Sequence, residues 1–221
     1  MLSVHRLVNT PVTSNCHVLY DKDVSNDCVI IDPGSKSEKA LFDFLKQEEL
    51  IPKYIILTHE HFDHCWGVNA LVAMYGVPVV CSQLCSEAIK YEKRNCSIFY
   101  DFFERFTITS VTISTESIGE VLTFAGDEIR FFRTPGHTNA SICFVAGGFL
   151  FTGDTLIKDE KTVTKLPTGS VESLKESIAM INQLRGKGLL VCPGHGEGFT
   201  LDNYNLTICL DGKRNEEHGD V

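Results

Sequence analysis

The chain has 221 residues, 43% of them hydrophobic and 22% charged; a chain of this size buries roughly 70% of its unfolded surface, and this composition excludes disorder as the main state. Asp and Glu number 29 against 20 Lys and Arg, a formal charge of −9, which repels phosphate backbones and argues against a nucleic-acid partner or an anionic membrane surface. No apolar run approaches the ~20 residues that span a bilayer, and residues 1–6 lack the apolar stretch of a signal peptide.

Strand-like and helix-like stretches alternate along the chain. Residues 16–20 and 28–31 read as short strands with a polar turn between them, and Asp32-Pro33-Gly34 closes the second. Leu41, Phe44 and Leu45 recur at helical spacing and predict a helix over 37–50 that stops before Pro52. The apolar run 54–57 reads as a strand buried on both faces. Val68, Leu71 and Met74 predict a helix ended by Gly76, and 77–81 is strand-like again. Cys81 and Cys85, four apart, are placed at helical spacing. The nine cysteines include no CxxC pair and read as reduced, buried thiols of a cytoplasmic protein.

The second half predicts strands at 128–132, 142–146 and 149–152, with Gly147-Gly148 as a hairpin turn between the last two. Val171, Leu174, Ile178, Ile181 and Leu184 form one helical stripe with Ser170 as N-cap. Residues 189–192 read as a strand, 201–210 as a final helix, and 211–221 as a polar tail. Helices interleaved with strands in both halves predict sheets covered by helices. The pattern leaves open whether there is one sheet or two.

Chemistry concentrates where strands end. The segment Thr58-His59-Glu60-His61-Phe62-Asp63-His64 directly follows the run 54–57. Imidazole and carboxylate suit divalent zinc, and four such groups within six positions are dense. An extended backbone would aim His59, His61 and Asp63 to one side and His64 toward a second centre. Three further strand ends carry Gly136-His137, Gly153-Asp154 and Gly194-His195. The glycines are expected to let the backbone turn close to a bound ion. Seven candidate metal ligands result: His59, His61, Asp63, His64, His137, Asp154 and His195. His5, His17 and His218 are left to surface or packing.

The motif His59-x-His61-x-Asp63-His64, followed in order by His137, Asp154 and His195, resembles the metallo-β-lactamase superfamily, and within it the glyoxalase II-like hydrolases. Asn15-Cys16-His17-Val18-Leu19 and Ile31-Asp32-Pro33-Gly34 resemble the opening strands of that family. The resemblance implies an α/β fold, an αββα sandwich of two mixed β-sheets with helices outside, as a single domain over 1–210. It implies that His59, His61 and His137 hold one metal, that Asp63, His64 and His195 hold a second, and that Asp154 bridges both. It also implies two Zn2+ ions, with iron or manganese as alternatives, and a metal-bridging hydroxide that attacks a thioester or related ester. Asp63 is then the catalytic residue that orients the hydroxide or takes its proton. Several departures narrow the branch. β-Lactamases of this fold lack the bridging Asp, diiron flavoprotein oxidases usually carry Glu where His61 stands, and homoserine-lactone lactonases carry Tyr where Ile157 stands. Glyoxalase II has a further helical domain that holds glutathione, which this sequence does not match, so the resemblance implies thioester hydrolysis in general and leaves the part of glutathione open.

The expected partner is a small-molecule substrate. Lys165, in the loop after Asp154, is the candidate to pair a substrate carboxylate, and Phe99, Tyr100, Phe102, Phe103 and Phe106 are candidates for a lid or for ordinary core. Two other readings compete: an oxidoreductase resembling the persulfide dioxygenases, with one iron on His59, His137 and Asp154, and a non-catalytic metal-binding module.

Overall fold

A computed structural model describes residues 1–99, 104–110 and 112–212. Among them, twelve strands form two six-stranded sheets. The first runs in order β1 (Ser3–Val8), β2 (Asn15–Tyr20), β3 (Asp27–Ile31), β4 (Ile51–Ile56), β5 (Val79–Cys81), β6 (Thr112–Ser114). Its first three strands pair antiparallel and the rest parallel. The second runs from the edge inward as β12 (Phe199–Thr200), β11 (Leu190–Pro193), β10 (Phe149–Gly153), β9 (Ile142–Ala146), β8 (Asp127–Arg133), β7 (Val121–Phe124), with β10–β11 its one parallel pair.

Side-chain alternation turns these strands into layers. On β2, Cys16 and Val18 join an outer cluster with Leu41 and Leu45 of helix α1 (Lys39–Gln47) and Leu71 of α3 (Val68–Tyr75), while Leu19 faces inward. On β9, Phe144 faces inward and Cys143 packs outward against Leu174, Ile178 and Ile181 of α5 (Val171–Asn182). The inner cluster joins Leu19, Val29 and Ile56 of the first sheet to Phe131, Phe144 and Phe151 of the second, and Phe144 stacks on Phe151, its partner across β9 and β10, with centroids 4.6 Å apart. The order is therefore helix, sheet, sheet, helix, as the family resemblance implied. Among the described residues, no helix is long and apolar enough to cross a membrane.

The differences from the sequence reading have local causes. β1, β6, β7 and β12 are absent from the expected strands. The first helix is shorter than expected because Glu49 turns to φ 56 and the Leu50 N–H returns to Leu45 O, closing the helix before strand β4 starts at Ile51. Pro52 sits inside β4, opposite Cys28, where the pairing with β3 shifts register. Cys81 and Cys85 do not share a helix face: Cys81 ends β5 and Cys85 lies in α4 (Gln83–Ala88), whose N-cap is Ser82. All nine cysteines are free and buried. The helix expected over 201–210 shrinks to α6 (Ile208–Asp211), because Asn205 Oδ1 takes both the N–H and the hydroxyl of Thr207 and competes with helical pairing. Tyr100, Phe102 and Phe103, His218 and the tail beyond Gly212 lie outside the described residues.

Glu38, at the head of α1, is buried, and burial pushes its carboxyl up to about 8 from 4.5 despite the Ser35 N–H it accepts. Between those two pH values the folded chain keeps a proton that the unfolded chain has lost. Stability is full below 4.5 and falls as pH rises through about 8, by up to ~1.4 kcal/mol per unit. Glu38→Gln should leave the urea midpoint nearly unchanged at pH 4.5 and raise it clearly at pH 8.5. An equal shift at both pH values would contradict this account.

Candidate metal centre

All seven predicted donors converge at one edge of the sandwich. β4 leads into His59, and the loops after β8, β10 and β11 supply His137, Asp154 and His195. The backbone carries His61 extended, but Asp63 and His64 lie in the first turn of a short helix, α2 (Phe62–Cys65). The extended-chain reading therefore fails at Asp63. Helical geometry sets it beside His64 rather than beside His61.

Two donor groups result. The ligand atoms of His59, His61 and His137 lie within 4.8 Å of one another, as do those of Asp63, His64 and His195. Asp154 spans them. Its Oδ1 is 3.4 Å from His64 Nε2, and its Oδ2 is 3.5 Å from His195 Nε2 and 3.6 Å from His137 Nε2. Asp63 Oδ2 lies 3.3 Å from His195 Nε2 and 3.6 Å from His64 Nε2.

The tautomers follow from the outer partners. Thr58 Oγ1 donates to Asp32 Oδ2, so His59 Nδ1–H must donate to Thr58. His64 Nδ1–H donates to Asp32 Oδ2 at 3.1 Å, His137 Nδ1–H to Val163 O at 2.8 Å, and His195 Nδ1–H to Thr13 O at 3.2 Å. Each of these four rings thus commits Nδ1 to an outer partner and turns Nε2 inward. His61 presents Nδ1, 2.9 Å from His137 Nε2. His59 Nε2, His64 Nε2 and Asp154 Oδ1 are buried without any hydrogen-bond partner. Buried polar atoms are ordinarily satisfied, and the missing partner for converging lone pairs and a carboxylate is a cation. The residues fit a pair of divalent ions.

The electrostatics agree. Burial and the neighbouring rings hold His59 well below the usual histidine range, and burial with His137 lowers His61 to about 3, so both are neutral donors. His64 and His195 go the other way. Burial lowers them, but the carboxylates of Asp154 and Asp63 outweigh it and raise both, a field that attracts positive charge. Asp154 and Asp63 are held below their ordinary value, burial notwithstanding, chiefly by His64.

Asp32 is the group the sequence reading passed over as a turn residue. It is buried and accepts from Thr58 N, Thr58 Oγ1 and His64 Nδ1, orienting both the strand end and a ring. Its position just after β3, level with the end of β4 beside it, was the available signal. Of the glycines, Gly194 behaves as expected: a Cβ there would meet Asp154 Oδ1 at 2.1 Å. Gly136 instead yields its space to Leu174 of α5, so its role is packing.

Lys165 is exposed, in the loop that Val163 ties to His137. Phe106 stacks on Trp66 within a small cluster with Phe62 and Cys96, which is core rather than lid, whereas Phe99 is exposed. His5 stacks on Phe44, and His17 is buried edge-on to Phe151.

Comparison with known proteins agrees with this architecture. The hydroxyacylglutathione hydrolase of Wigglesworthia glossinidia brevipalpis is 30% identical over 193 residues, covering 87% of this chain and 64% of that one. The BLEG-1 B3 metallo-beta-lactamase superposes with a TM-score of 0.82 at 29% identity, covering 93% of this chain and 96% of that one. TTHA1623, solved in a di-iron-bound form, gives 0.76 at 27% identity, with 89% and 94% covered. The family model of the metallo-beta-lactamase superfamily matches residues 9–195, a span that ends on the last of the converging donors, and the chain belongs to that superfamily.

Proposed function

We propose that the chain is a dinuclear-metal hydrolase of small-molecule thioesters or related esters, acting as one domain over 1–210. The observation that carries this is the pair of donor groups joined by a single carboxylate, with unpartnered Nε2 and Oδ1 atoms facing inward. In this reading His59, His61 and His137 hold one cation, Asp63, His64 and His195 hold the other, and Asp154 contacts both. Two Zn2+ ions bound there would lower the pKa of water to about 7 and polarise the acyl oxygen.

The chain's own residues do the rest. Asp63 orients the attacking water or takes its proton. Water adds to the acyl carbon, the carbon–sulfur or carbon–oxygen ester bond breaks, and the thiolate or alkoxide leaves and is protonated from solvent. Asp32, Thr58, Val163 and Thr13 hold the Nδ1 side of four rings so that each aims Nε2 at the cations. Lys165 pairs a substrate carboxylate. Neither thiol beside the donor segments competes as a nucleophile: burial pushes the Cys192 thiol up to about 12 and holds the Cys65 thiol well above the ordinary cysteine value. Nine free thiols support a reducing, cytoplasmic setting. Likeness to a di-iron protein supports iron as the alternative metal.

The test is metal analysis joined to a substrate panel. Protein stripped with chelator and reloaded should bind two equivalents of zinc and regain hydrolysis of thioesters over phosphodiesters. One equivalent of iron with oxygen uptake on a persulfide would replace this reading with the oxygenase one. Metal uptake with no turnover of any ester would leave only a binding module.

A further inference from the structure

His195 differs from the other converging rings. Its side chain is 24% exposed, against 0% for His64 and 4% for His137, so packing alone does not fix it. Gly194 and Gly196 flank it, and Gly196 sits at φ 71. A segment this rich in glycine is costly to order. Hydrogen bonds from the other sheet order it. Asn15, fully buried at the start of β2, gives Nδ2 to both Pro193 O at 3.0 Å and Gly196 O at 2.9 Å, and its N–H to Gly194 O at 2.6 Å. Arg6 on β1 gives Nη1 to Gly196 O at 2.8 Å and to Asn15 Oδ1 at 3.3 Å, and Nη2 to Glu197 Oε1 at 2.7 Å. The carbonyls of Pro193, Gly194 and Gly196, around His195, are thus all held by two residues of the first sheet.

We infer that Asn15 and Arg6 are positioning residues that set the affinity of the Asp63–His64–His195 group for its cation, leaving the His59–His61–His137 group untouched. The inference rests on the metal-centre reading above. Neither residue touches the donor atoms; both act through the backbone that aims His195 Nε2.

Zinc affinity, measured by competition with a chromophoric chelator, tests this on Asn15→Ala, Arg6→Ala and Arg6→Lys, with thermal melts of the metal-free proteins alongside. Asn15→Ala should bind one zinc as tightly as the parent and the second 10–100-fold more weakly, with thioester turnover restored by excess zinc. Arg6→Ala should show a smaller loss at the same cation, and Arg6→Lys, which keeps a donor for Gly196 O, should recover part of it. His195→Ala should not be rescued by excess zinc. Two zinc ions bound at parental affinity in both alanine variants would overturn the inference. So would weakening of both ions in step with a lower melting temperature, which is what a merely structural role predicts. A parent protein that takes up no zinc would instead sink the metal-centre reading on which the inference rests, a distinguishable result.

Discussion

Asp154→Ala should cost both cations and about 10³-fold or more in turnover, the largest effect of any single substitution in this chain. Asp154 is the one donor whose two oxygens reach both groups, with Oδ1 toward His64 and Oδ2 toward His137 and His195. In the dinuclear reading, its removal would take a negative charge from between two cations in a buried setting, where charge interactions are strong. It also leaves His64, fully buried, with Asp63 as the only remaining carboxylate beside its Nε2 among the described residues. Metal content after dialysis and the rate of thioester hydrolysis measure the two effects. The melting temperature of the metal-free variant checks that the fold survives. Two retained ions, or turnover within tenfold of the parent, would falsify the bridging assignment.

The second large effect is expected at Asp32, which touches no substrate. Its carboxylate accepts from Thr58 N at 2.8 Å, Thr58 Oγ1 at 2.6 Å and His64 Nδ1 at 3.1 Å, all buried. Asp32→Ala strands these donors, and leaving a buried hydrogen-bonded network without its charged member costs about 3–5 kcal/mol. The loss of ring orientation should weaken cation binding by about 10–100-fold. Asp32→Asn should recover part of the stability through Oδ1 and less of the affinity, since Nδ2 is a donor facing donors. Urea unfolding of the metal-free protein and zinc competition separate the two quantities. A stable Asp32→Ala protein with parental zinc affinity would remove Asp32 from the site.

Much of the site was legible because its chemistry is local. Four of the seven donors occupy one stretch of six residues, and the other three each follow a strand and a glycine. What misled was geometry inside that stretch. Alternation along an extended chain set Asp63 with His61, but the chain turns helical at Phe62 and brings Asp63 to His64 and His195. Asn15 and Asp32 were visible only as strand and turn residues, because their partners lie at Pro193 to Gly196 and at Thr58 and His64. Nothing local to either residue announces such a partner.

By itself, the sequence determined most of the central strands, the amphipathic stripe of α5, the hairpin at Gly147-Gly148, the inventory of donors and, by resemblance, the family and its two facing sheets. Those properties depend on side-chain periodicity, turn chemistry and residue type over a few positions, or on motifs that can be read in order. The tertiary structure decided how the two sheets are joined at the site edge, that the chain turns helical at Asp63, which ring nitrogens face inward and which side chains hold the backbone around His195. These depend on register and on the packing of β2 against the loop after β11, contacts between residues as far apart as Arg6 and Gly196. Their free energy comes from burying and pairing groups that meet only once both sheets have formed.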